Sequence, residues 1–155
     1  MRPRTLALLL CVAAVIALAA GCEGGALPTR PSAPPPPASA SPGVVVTAWI
    51  DAVNAGDEAA GRVLSTPAFA DADHAAADGW FANTLTIRDV HIGAPQPAHG
   101  LQSNRDHAHV VYVPVAFVLE QKKEVSFRDG ANVWGFVLVR DRPGERWRIN
   151  EQGLG

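Results

Sequence analysis

Residues 133–150, VWGFVLVRDRPGERWRIN, decide the fold. From Val133 to Arg140 the side chains alternate, with Trp134, Phe136 and Leu138 on one face and Val133, Gly135, Val137 and Val139 on the other. A period of two is that of a strand. Arg142-Pro143-Gly144-Glu145 then puts Pro and Gly in the two central positions that a type II turn requires. Trp147 to Asn150 returns as a second strand, so the stretch is an antiparallel hairpin. Both of its faces are apolar, and each needs a cover. The aromatic face is expected to pack on helices. The valine face is either covered by a bend or a neighbouring strand, or left as an apolar patch of the kind that mediates association.

Working outward, two more strands precede the hairpin. Leu85 to Ile92 has Leu85 and Ile87 on one parity and Val90 and Ile92 on the other, so the alternation slips at Arg88-Asp89 as a β-bulge would make it. His109 to Leu119 is a long β-branched run interrupted by Pro114, which predicts an edge position or another bulge. Helices come before the strands. Ser41-Pro42 supplies an N-cap and a first-turn proline. Val45, Ala48, Trp49, Ala52 and Val53 then follow the spacing of an amphipathic helix. Gly56 ends that helix, Asp57 caps a second one through about Leu64, and Thr66-Pro67 stops it. A weaker Ala-rich helical stretch leads from Pro67 to Trp80 and Phe81. The expected class is α+β: two or three N-terminal helices packed on a curved, bulged antiparallel sheet of about four to five strands, cone-like in shape.

The N-terminal third has a different character. Arg2 and Arg4 precede fifteen unbroken apolar residues, Leu6 to Ala20. This is the positive start, apolar run and small-residue exit of an export signal, shorter than the roughly 20 residues a membrane-spanning helix needs. Seven of the fifteen residues from Pro28 to Pro42 are proline, so this part cannot bury apolar surface and is expected to be an extended spacer. The divisions are 1–21 signal peptide, 22–42 Cys22 with a Pro-rich tether, and 43–155 folded domain. Cys11 falls in the signal, leaving Cys22 as the lone thiol of the mature chain, with no internal disulfide to support the fold.

Leu18-Ala19-Ala20-Gly21-Cys22 resembles the lipobox of bacterial lipoproteins. The resemblance implies cleavage between Gly21 and Cys22 and a diacylglyceryl group on the Cys22 sulfur, hence a chain anchored on the extracytoplasmic face of the cell membrane. Cleavage by a general signal peptidase after Ala20 or Gly21 is the alternative. With Arg outnumbering Lys eleven to two, the composition is that of high-GC, actinobacterial-type genomes. The opening helix in AWIDAVNAGDEAAGRVLS (48–65) and the end pair in GFVLVRDRPGERWRINEQGLG (135–155) are similar to the nuclear-transport-factor-two-like superfamily of cone-shaped domains, specifically its bacterial lipoprotein members. That resemblance implies a pocket in the cone, whose candidate lining here is Trp49, Phe81, Tyr112, Trp134 and Phe136.

Two function classes follow. One is a non-catalytic binding module, for a small apolar ligand in the cone or for a second copy or another protein on the outer sheet face. The other is a small acid-base enzyme of the isomerase, dehydratase or cyclase kind, with Asp89, His91 and Tyr112 as the groups able to move a proton. No family motif matches any of these three, so the chain is expected not to be an enzyme. A structural part of an envelope complex is a third possibility. His107 and His109 have a spacing that can bind zinc or copper, yet only Asp106 and His99 are near, too few ligands for a metal site. No cofactor is expected beyond the covalent diacylglycerol. Without Arg2 and Arg4 the chain carries 11 basic against 15 acidic residues, which does not suit nucleic acid. No phosphate-binding loop, nucleophile elbow or zinc-protease motif occurs.

Overall fold

The computed structural model describes residues 33–98 and 104–153; the signal, Cys22, the first part of the tether and His99 lie outside the described residues. Helix α1 (Pro42–Ala55) begins behind Ser41, whose backbone is extended but whose hydroxyl makes no cap bond, and ends at Gly56 in the left-handed conformation. Helix α2 (Glu58–Val63) is capped by the Asp57 carboxylate, which accepts from the Ala60 N–H at 3.0 Å. Helix α2 ends at Leu64, and Thr66 caps α3 (Pro67–Ala75), accepting from the Phe69 N–H. A single helical turn, α4 (Trp80–Asn83), leads straight into the sheet.

Among the described residues the sheet has five strands: β1 (Thr84–Ile92), β2 (Gln96–Pro97), β3 (His109–Gln121), β4 (Gly130–Arg140) and β5 (Arg148–Gly153). Their order is β1-β3-β4-β5, with β2 beside β3 and every pairing antiparallel. The expected α+β class, with helices packed on a bulged antiparallel sheet, is the one observed. The slip in β1 is a bulge: its register to β3 shifts between Arg88 and His91, and Asp89 carries a positive φ of 54°. The β4–β5 turn has the expected geometry, with Gly144 at φ 88° and the Glu145 N–H donating to the Arg142 carbonyl at 3.1 Å.

Pro114 differs from expectation. It sits in the central strand, paired to β1 and β2 on one side and β4 on the other. A residue's N–H and C=O face the same edge of a strand. The Pro114 carbonyl accepts from Gly93 in the gap between the end of β1 and the start of β2, so the missing N–H falls where no ladder bond is needed. β2 has no counterpart in the sequence reading, since two residues are too few to show a period.

The inner face of the sheet closes on α1. Val113, Val115, Phe117 and Leu119 of β3, with Phe136 and Leu138 of β4, are buried with Val45, Val46, Trp49 and Ile50. Trp49 is the hub, with ring centroids of Phe136, Trp80, Phe81 and Phe69 at 5.3 to 6.0 Å. On the opposite face, the covered alternative holds for two of the three valines. Val137 and Val139 are 6% and 3% exposed, whereas Val133 is 67% exposed. Tyr112 lies across Gly135, where a Cβ would come within 2.0 Å of the Tyr112 ring. Glycine there lets the ring roof the strand.

Candidate functional site

The cone opens between α3, the α3–α4 turn and the β4–β5 end of the sheet, in a cleft of about 600 Å³. Its apolar wall is aromatic: Phe69 from α3, Trp80 from α4, Trp134 from β4, and Phe127 from the β3–β4 loop. Phe127 stands edge-on to Trp134 at 4.3 Å and tilted to Trp80 at 5.2 Å. The polar rim is Asp73, Asp78, Ser126, Asn150, Glu151 and Gln152, and no Lys, Arg or His lines it among the described residues.

Local structure fixes each polar group. The Asp73 carboxylate accepts from the Trp80 N–H at 2.9 Å, so the end of α3 is tied to the start of α4. Gly79 makes that tie possible, since a Cβ there would lie 2.1 Å from the Asp73 carbonyl oxygen. The Trp80 indole N–H donates to the Gln152 side-chain oxygen, and the Ser126 hydroxyl donates to Asp78. Thr66, Asn150, Asn104 and Glu151 form a chain of side-chain hydrogen bonds of 2.8 to 2.9 Å that holds β5 in place. The Trp134 indole nitrogen is buried without a hydrogen-bond partner.

Burial of Asp73 raises its pKa above the ordinary aspartate value; backbone donation from Trp80 and Phe81 opposes the shift, and the charges of Glu58 and Asp78 add to it. Among the described residues no cation forms an ion pair with Asp73 or Asp78. The cleft thus joins aromatic faces to carboxylates that lack a positive partner, an arrangement that attracts a cationic or hydrogen-bond-donating end on an apolar body.

Of the sequence-predicted lining, Trp134 is in the cleft. Trp49 and Phe136 lie beneath it, 1% exposed each, as core. Phe81 packs on Trp49 and lines a smaller hollow against Gly61. Tyr112 lies on the outer face over Gly135, away from the cleft, because β3 turns its even-numbered residues outward. Asp89 is exposed at the bulge and paired with Arg88 at 2.8 Å, and His91 is exposed on β1, so Asp89, His91 and Tyr112 are not assembled in the cleft. His107 precedes the strand that carries His109, and its Nδ1 meets Asp141 at 3.0 Å. That hydrogen bond holds the Asp141 pKa low. Among the described residues no group of three or more His, Cys, Asp and Glu could hold a metal ion.

Asp73, Trp80 and Phe127 were missed. Trp80 was visible as the end of the helical stretch, but the alanines around Asp73 make it look like a solvated helix charge. No family model, no curated protein and no solved structure matches the chain.

Proposed function

We propose that the chain is an extracytoplasmic lipoprotein, held to the cell membrane by diacylglycerol on Cys22, whose domain binds a small apolar ligand with a cationic end. One observation carries the binding reading: an open cleft of about 600 Å³ with four aromatic side chains on its wall and, on its rim, Asp73 and Asp78, which have no cationic partner among the described residues. Ligand sites usually have volumes of ~300–1,000 Å³, apolar walls and a few fixed polar groups. A ligand cation over the Trp80, Phe127 or Trp134 face and within reach of a carboxylate gains ~0.5–2 kcal/mol from the ring, more when water is excluded. A protein partner on the outer sheet face has less support, since Val137 and Val139 are already covered.

The anchor follows from Cys22 and the Pro-rich spacer, because two acyl chains hold a protein stably where one does not. Mass spectrometry of the native N-terminus is expected to find a diacylated Cys22; an unmodified thiol, or another first residue, contradicts it. The cleft is tested on the full chain with the neutral fluorophore N-phenyl-1-naphthylamine. Saturable enhancement is expected, displaced by benzyltrimethylammonium at lower concentration than by benzenesulfonate. The reverse order, or no saturable signal, sinks the reading.

A second reading, an acid-base enzyme, is favoured by Asp73 alone: a carboxyl with a raised pKa at the wall of a cleft is a group suited to proton transfer. Its backbone partners at Trp80 and Phe81 also give it a plain structural role, so binding is the reading adopted.

A further inference from the structure

On the side of the domain where β3 begins and β4 hands over to β5, another hollow, of about 110 Å³, is lined by His107, Arg140, Arg146 and Arg148 together with Thr66, Asp141 and Glu145. Three guanidinium groups in so small a space repel one another unless something negative lies among them. The two carboxylates of the lining have partners other than these arginines. Asp141 holds His107, and Glu145 accepts from the backbone N–H groups of Asp141 and Arg142 at 3.1 Å and sits 3.6 Å from the Arg142 side chain. Among the described residues, Arg140, Arg146 and Arg148 are in no ion pair. The Nε atoms of Arg140 and Arg146 are buried and have no hydrogen-bond partner. A buried donor left unmatched is costly, and a charged one more so.

Arg140 is held in position. Its guanidinium stacks over the Trp147 ring, 4.4 Å from the centroid, and Trp147 is buried. The fork is therefore set before anything arrives, which reduces the ordering needed on binding. A tetrahedral oxyanion offers three or more acceptor oxygens to several forks at once, whereas a carboxylate offers two. The hollow holds about three or four water volumes, enough for a phosphate group and little attached body.

We propose that the Arg140–Arg146–Arg148 hollow is a binding site for a phosphate-type oxyanion, separate from the aromatic cleft and independent of what that cleft binds. The anion is supplied either free or as the phosphodiester of a lipid headgroup.

The test uses the full chain, with the Trp147 indole N–H as the NMR reporter. Inorganic phosphate is one titrant; sn-glycero-3-phosphoglycerol, the water-soluble headgroup of phosphatidylglycerol, is the other. A saturable shift at Trp147 is expected with at least one, weakened ~10-fold in Arg146→Gln and in Arg148→Gln, since a charge-assisted bond contributes about that factor. Arg148 is exposed, so its replacement tests the site even if Arg146→Gln folds poorly. Arg128→Gln, exposed in the β3–β4 loop and outside the hollow, is expected to bind as the parent does. Tighter binding of phosphate assigns the free ion, and tighter binding of the diester assigns the headgroup. Failure of both titrants to saturate, or equal weakening by Arg128→Gln, overturns the site.

Discussion

Asp73 stands in the last turn of α3, where burial and, after it, the charges of Glu58 and Asp78 oppose its ionisation while two backbone N–H groups favour it. Its pKa is raised on folding, so just above pH 3.8, the ordinary aspartate value, the folded chain binds more protons than the unfolded one. Stability then falls as pH rises through that window and levels off above the folded pKa. Asp73→Asn keeps an oxygen for the Trp80 N–H and removes the charge, so it is expected to flatten this acid-side slope and to leave stability at pH 7 unchanged or higher. Asp73→Ala also removes the charge but strands the Trp80 N–H, so it is expected to share the flattened slope and to lie about 1 kcal/mol below Asp73→Asn at every pH. Urea unfolding across pH 3 to 7 separates the two; an unaltered slope in Asp73→Asn would show that another group carries it.

Among the elements, the α3–α4 turn shapes the mouth of the cleft, and Gly79 is its tightest point. Gly79→Ala forces a Cβ against the Asp73 carbonyl and is expected to cost ~1–3 kcal/mol, as overpacking does, with weaker binding of N-phenyl-1-naphthylamine. Stability and affinity within error of the parent would mean that the turn yields without strain. Features set by neighbours in sequence were legible: the caps at Gly56 and Asp57, the Pro143-Gly144 turn, and the bulge marked by a change of parity at Arg88-Asp89. Pro114 was misread because its tolerance depends on where β1 stops, and that is a long-range fact. Tyr112 was misplaced for a related reason. β3 is apolar on both parities from Val110 to Val118, so its period does not say which face is inside.

At the scale of the molecule, one aromatic hub joins the core to the cleft. Trp49 touches Trp80 and Phe69, both cleft walls, from below. Trp49→Ala is therefore expected to cost ~3–5 kcal/mol and to loosen the site along with the fold; a thermal midpoint close to the parent's would contradict the hub. The α+β layering was legible because helix and strand periods occupy separate halves of the domain. The cleft was only half legible. Its walls come from α3, α4, β4, β5 and the β3–β4 loop, and apolar residues in a sequence do not announce whether they will be core, as Phe136 is, or wall, as Trp134 is.

The four tryptophans of the chain allow a direct reading of the central claim. Two line the cleft, Trp80 and Trp134; Trp49 is core, and Trp147 lies under Arg140. In an NMR titration of the full chain with benzyltrimethylammonium, the indole N–H signals of Trp80 and Trp134 are expected to move saturably while that of Trp147 stays still. Equal movement of all four, or none that saturates, would contradict a cation-accepting aromatic cleft.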